Sequence, residues 1–186
     1  MQDAAGSRNR RALLIGIDRY PNLSPDLQLG GCKNDVEAVA ATLAGRYGFP
    51  SGQITRLIDE AASQEGIRTA LADLAGKLNE GDVAVILYSG HGSQMTDREG
   101  DSPDGMDETI VPSDSGRDPH VNRDIHDREI HHWLLRLSER TPYITWIFDC
   151  CHSGHINRGL EDPFGAPARW LEPDLRPAAR LPPVPP

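Results

Sequence analysis

The sequence predicts an α/β domain: a mostly parallel sheet with helices on both faces. Three observations predict it. Short apolar runs alternate with stretches whose apolar residues recur at helical spacing. Two of the runs, around residues 83–88 and 143–148, are apolar almost throughout, as parallel strands buried on both faces are. Turn and capping residues separate the elements, giving the order βαβαβ…αβ, for which right-handed crossovers are the rule.

The elements follow in chain order. Arg11 to Asp18 is a short apolar run closed by turn residues, hence a buried strand. Val36, Val39, Ala40 and Leu43 then keep helical spacing, with Asn34 or Asp35 placed to cap the first turn. Gln53 to Ile58 is a second strand. Ile67, Leu71, Leu74 and Leu78 mark a second amphipathic helix capped by Ser63. Asp82 to Tyr88 is the clearest strand, and Thr109 to Pro112 is a short one. Ile130, Leu134 and Leu137 define a third helix that Asp127 caps. Tyr143 to Phe148 closes the series, and its continuous apolar character predicts burial on both faces.

At 186 residues the chain is long enough for one domain with a sizeable core. The expected organisation is a flexible N-terminus (1–9), one folded domain (10–160) and a proline-rich tail or linker (161–186). Eight of the fifteen prolines fall between Leu160 and Pro186, where a fixed φ and a missing backbone donor favour extended chain. Within the domain, eight of the 22 residues from Asp97 to Asp118 are acidic, which predicts a long acidic loop or irregular hairpin.

A net charge of −9 argues against general nucleic-acid or anionic-membrane binding, because both require a basic surface. The longest apolar run, Val83 to Tyr88, is far too short to span a bilayer. The first ten residues lack the apolar stretch of a secretory signal, so the expected location is cytoplasmic. Three cysteines, two of them adjacent, exclude a disulfide framework and point to thiol chemistry or to inert buried thiols.

Sites in open α/β sheets form beyond the carboxyl ends of the strands. Ser89-Gly90-His91-Gly92 follows one strand and Asp149-Cys150-Cys151-His152-Ser153-Gly154 follows another. If those strands are neighbours, His91 and a cysteine face each other across one sheet edge. An imidazole there favours the thiolate, which is the nucleophilic form. The amides of Gly92 and Cys151 make an oxyanion hole. A zinc site drawn from these His and Cys residues is disfavoured, because adjacent cysteines rarely share a metal and no Cys-x-x-Cys pair is present.

Ser-Gly-His-Gly at 89–92, with Asp-Cys-Cys-His-Ser-Gly 60 residues later, resembles the caspase-fold cysteine peptidases, and among them the metacaspases. Leu13 to Tyr20 and Gly30 to Val36 are similar to that family as well, so the resemblance spans about residues 10–160. It implies the caspase/haemoglobinase fold and a nucleophile at Cys151, directly before His-Ser-Gly, with His91 as its partner. It further implies cleavage of peptides and proteins after Arg or Lys, through a pocket drawing on Asp35 and Asp149 and lined by Cys32 and Ser89. A backbone carbonyl is expected to orient the imidazole in place of a third side chain.

The acidic loop offers hard oxygen ligands in Asp101, Asp104, Asp107, Glu108 and Asp114. The resemblance implies activation by calcium, with Asp104, Asp107 and Asp127 as the candidate ligands. The family often carries two consecutive acidic residues at the start of the next helix, whereas this chain has Asp127-Arg128. Caspase-like domains also need a second, small-subunit-like portion that adds strands and completes the substrate groove. After Cys151 this sequence has 35 residues, mostly proline-rich. Two functions are therefore expected: a cysteine endopeptidase, or a catalytically silent recognition or assembly module, or fragment, that depends on a partner portion.

Overall fold

The computed structural model describes residues 8–97, 102, 104–150 and 169–176. Four strands form a parallel sheet in the order β2-β1-β3-β7: β1 (Arg10–Gly16), β2 (Ile54–Ile58), β3 (Val83–Ser89) and β7 (Tyr143–Asp149). A separate antiparallel ribbon contains β4 (Gly92–Thr96), β5 (Met106–Ile110) and the two-residue β6 (Ile125–His126). The helices are α1 (Cys32–Tyr47), α2 (Gln64–Lys77) and α3 (Asp127–Ser138).

Alternation along the strands builds two cores. Ala12, Leu14, Val85 and Leu87 face Val36, Ala40 and Leu43 of α1. Leu13, Ile15, Ala84, Ile86 and Tyr88 face Ile67, Leu71 and Leu74 of α2 and Trp133 and Leu137 of α3. Helices therefore cover both faces, as the periodicity predicts. Gly16 lets α1 lie close, because a Cβ there would stand 2.7 Å from Val36 Cγ2 and 2.8 Å from the Cys32 carbonyl oxygen. No helix among the described residues is long and apolar enough to cross a membrane.

β4 lacks apolar alternation and the sequence predicts no element there; pairing with β5 makes it a strand. Three expectations need correction. Asn34 and Asp35 do not cap α1, which begins at Cys32. Its first amide instead donates to Asp18 Oδ1 at 2.8 Å, a cap supplied from the end of β1. Asp127 is the first residue of α3, not the residue before it. β7 is not buried on both faces: Ile147 and Phe148 are 40% and 38% exposed. The reason is topological, since β7 is the last strand of the sheet among the described residues. Ser63 does cap α2, accepting the Gly66 amide at 3.1 Å.

Residues 169–176 belong to the stretch expected as tail, and they run beside β4. The Leu171 amide donates to the Gly92 carbonyl at 2.9 Å and the Asp174 amide to the Gln94 carbonyl at 3.0 Å. Leu171 is buried against the core.

Candidate active site

β3 and β7 are neighbours, and their register pairs Ser89 with Asp149. His91 lies two residues beyond Ser89 in the sequence and Cys151 two beyond Asp149, and β3 and β7 end together at one edge of the sheet. Cys151 itself, with its amide, lies outside the described residues, as do His152 to Gly154. Cys150 is half-buried against the core.

His91 is buried and held from several sides. Its amide donates to Tyr20 Oη at 2.9 Å, and the Tyr20 ring tilts against the imidazole with centroids 4.9 Å apart. Tyr88 Oη stands 2.7 Å from the His91 carbonyl oxygen, within donating distance. Gly90 makes room for both phenols: a Cβ would lie 2.7 Å from Tyr88 Oη and 2.8 Å from Tyr20 Oη. The Leu27 carbonyl oxygen lies 2.7 Å from His91 Nε2. A carbonyl only accepts, so Nε2 carries the proton and the Nδ1 lone pair is left bare. Nδ1 is buried and has no hydrogen-bond partner among the described residues. Burial also pushes the imidazole pKa below its ordinary value, which favours the neutral ring. A neutral imidazole fixed at one nitrogen and open at the other can take up a proton.

Gln28 fixes the loop that delivers the Leu27 carbonyl. Its side chain accepts the Tyr20 amide at 2.8 Å and donates to the Tyr20 carbonyl at 3.1 Å. Neither Tyr20 nor Leu27 was singled out from the sequence as a site residue. Tyr20 carried a signal, as the end of the Leu13–Tyr20 motif. A carbonyl carries none, because every residue has one.

The four expected pocket residues come together beside this histidine. Ser89 Oγ lies 2.9 Å from Asp35 Oδ2 and 3.4 Å from Asp149 Oδ2. Cys32 is fully buried at the base of α1, and burial pushes its thiol pKa up to about 11, so it packs as a small inert group. The space between the carboxylates is filled from within. Arg169 reaches Asp35 Oδ2 with Nη2 at 2.6 Å and Ser89 Oγ with Nη1 at 2.8 Å, and Nη1 also pairs with the Asp149 carboxylate. The carbonyl oxygen of the same residue accepts the Gly92 amide at 3.0 Å. An arginine side chain thus lies between two carboxylates while its own carbonyl meets the amide expected to stabilise an oxyanion.

A buried polar cluster backs the ribbon. Asp124 accepts from Arg117 Nη2 at 2.9 Å and from Thr109 Oγ1 at 3.2 Å, and Arg117 Nη2 also donates to Ser93 Oγ at 2.9 Å.

The acidic residues form no single cluster, although burial and the nearby charges of Asp104 and Asp127 raise the Glu108 carboxyl pKa, and Glu108 Oε2 is buried with no hydrogen-bond partner among the described residues. Asp104 Oδ1 accepts the Met106 amide at 3.1 Å and Asp127 Oδ1 the Arg128 amide at 2.7 Å. Asp114 Oδ1 accepts the Gln64 amide at 2.8 Å, at the start of α2. Asp107 Oδ1 lies 3.3 Å from Arg128 Nη2. Asp101 lies outside the described residues. Among the described residues no group of three or more His, Cys, Asp or Glu side chains converges to hold a metal ion.

The family model described as metacaspase, peptidase C14 domain, matches residues 10–158. Metacaspase-1A of Neurospora crassa is 36% identical over 156 residues, covering 81% of this chain and 33% of that protein. Metacaspase-7 of Arabidopsis thaliana is 41% identical over 156 residues, covering 79% of this chain and 35% of that protein. A crystal structure of a Geobacter sulfurreducens protein aligns with a TM-score of 0.60 at 30% identity, covering 78% of this chain and 52% of the other. The chain spans about a third of the length of the two metacaspases.

Proposed function

The chain belongs to the metacaspase family, and from that premise we propose that it is the catalytic portion of a cysteine endopeptidase cutting after Arg or Lys through a Cys151–His91 dyad. The observation that carries this reading is Arg169. A guanidinium held between Asp35 and Asp149, with its carbonyl on the Gly92 amide, is the posture a substrate arginine would adopt at the bond to be cut. Paired carboxylates suit the planar fork of arginine, accept lysine less well and repel aspartate.

The chemistry follows from the imidazole. His91 Nδ1 takes the proton of Cys151 Sγ while Nε2–H stays on the Leu27 carbonyl. The thiolate adds to the carbonyl carbon after the basic residue, and the Gly92 and Cys151 amides hold the oxyanion. His91 returns the proton to the leaving amine. Water then cleaves the thioester, giving a new carboxylate and the free thiol. β7, the last strand of the sheet among the described residues, is the edge at which a small-subunit-like portion would add strands.

The test is a panel of fluorogenic peptides ending in Arg, Lys or Asp, run on the chain and on two variants. Arg should turn over fastest, Lys more slowly and Asp not at all. Cys151→Ala should remove activity, and His91→Ala should slow it by about a hundredfold or more. Preferred cleavage after Asp would overturn the specificity, and a fully active Cys151→Ala protein would overturn the dyad.

A further inference from the structure

The loop end of the β4–β5 hairpin brings two carboxylates together. Asp97 follows β4, and Asp107 is the second residue of β5, opposite Met95. Their side chains are 1% and 4% exposed. Two buried like charges this close repel each other, and each loses hydration that only a cation or a set of hydrogen bonds can replace. The cation is supplied by the chain: Arg128 Nη2 lies 3.0 Å from Asp97 Oδ1 and 3.3 Å from Asp107 Oδ1. The other oxygens are engaged as well. Asp97 Oδ2 accepts the Ser102 amide at 2.8 Å, and His126 Nδ1 lies 3.6 Å from Asp107 Oδ2.

A divalent cation needs several of these oxygens turned toward one point. Here both Oδ1 atoms point at a guanidinium projecting from the first turn of α3, so Asp97 and Asp107 do not fit calcium. We infer that Arg128 is a built-in cation: it binds the acidic hairpin to α3 permanently, and the chain neither takes up calcium there nor responds to it. Arg128 is a positioning residue. It anchors the far end of β4, the strand that starts at Gly92 next to His91, so the amide facing the Arg169 carbonyl sits on a ribbon fixed at both ends. A tethered guanidinium is present at constant stoichiometry, so the ribbon is set whatever the ion concentration.

Thermal denaturation and calcium titration calorimetry of the full chain, in chelator and in millimolar calcium, test this without relying on activity. The unsubstituted chain should melt at one temperature in both buffers and give no saturable calcium heat. Arg128→Asp replaces the cation with a third carboxylate. In chelator it should melt roughly 5–10 °C lower, the scale expected on breaking a buried ion pair in a domain of this size, and calcium should restore much of the loss. Arg128→Lys keeps the charge without the fork; it should fall between the two and ignore calcium. If Arg128→Asp does not fold, Arg128→Gln must still melt below the unsubstituted chain and stay insensitive to calcium. Saturable calcium binding by the unsubstituted chain, or a rise in its melting temperature with calcium, would overturn the inference. So would an Arg128→Asp or Arg128→Gln protein as stable in chelator as the original, or an Arg128→Asp protein that calcium fails to rescue.

Discussion

If Arg169 fills the specificity pocket from within, an external arginine must displace it, and Arg169→Ala should tighten binding of any arginine ligand. The size of the effect follows from the contacts. The Arg169, Asp35 and Asp149 side chains are 23%, 37% and 50% exposed, so solvent screens both ion pairs. The pair with half-exposed Asp149 contributes at most about 1 kcal/mol. The better shielded bonds to Asp35 and Ser89 add about another 1 kcal/mol after the same discount. Occupancy favoured by about 2 kcal/mol leaves the pocket open about one part in thirty, and the apparent dissociation constant rises by that factor. Binding is best measured in the Cys151→Ala background, where no bond is cut. Titration calorimetry with a short arginine-terminated peptide amide should show affinity roughly 10- to 30-fold tighter once Arg169 is alanine. Arg169→Lys should recover part of the competition, since an ammonium retains the charge without the fork. Unchanged affinity in Arg169→Ala would mean that Arg169 does not compete for this pocket, and would remove the main support for the specificity reading.

Two further outcomes concern His91. Gly90→Ala should push the Tyr20 and Tyr88 hydroxyls off the His91 backbone and destabilise the fold by about 2–4 kcal/mol, a loss of very roughly 5–12 °C in a melt; a shift under about one degree would show that this contact relaxes freely. Burial lowers the His91 pKa from its ordinary 6.5, so the unfolded chain gains a proton before the folded one does. The stability this group contributes is therefore complete above pH 6.5 and is lost as pH falls through the lower folded value. A His91→Gln variant should have a flatter acid limb in melting temperature against pH, and an identical slope would contradict the buried neutral imidazole.

The strands that form the two cores were legible because the continuous apolar runs in Arg11–Ile17 and Asp82–Tyr88 record contact with helices on both sides. β7 misled for a related reason. An apolar run states a demand for burial, but whether the demand is met depends on strand order, and Tyr143–Phe148 stands last in the sheet among the described residues. β4 was illegible because Gly-Ser-Gln-Met-Thr has no periodicity of its own, and its extended state is imposed by β5. In the site, the side chains to which the proposed chemistry gives direct roles, His91, Asp35, Ser89 and Asp149, carried motif signals. What holds them did not. The Leu27 carbonyl is anonymous in sequence, and the Asp18 cap on Cys32 comes from 14 residues away. Arg169 sits in a proline-rich stretch, 134 residues from the Asp35 it pairs with. Arg128 shows the intermediate case. The sequence exposed it as a departure from a pair of acids, but only the hairpin register, which sets Asp107 opposite Met95 and two residues from Asp97, turns that departure into a cation with a place to stand. A substitution in a motif therefore reports that a partner has changed, and the fold must supply which one.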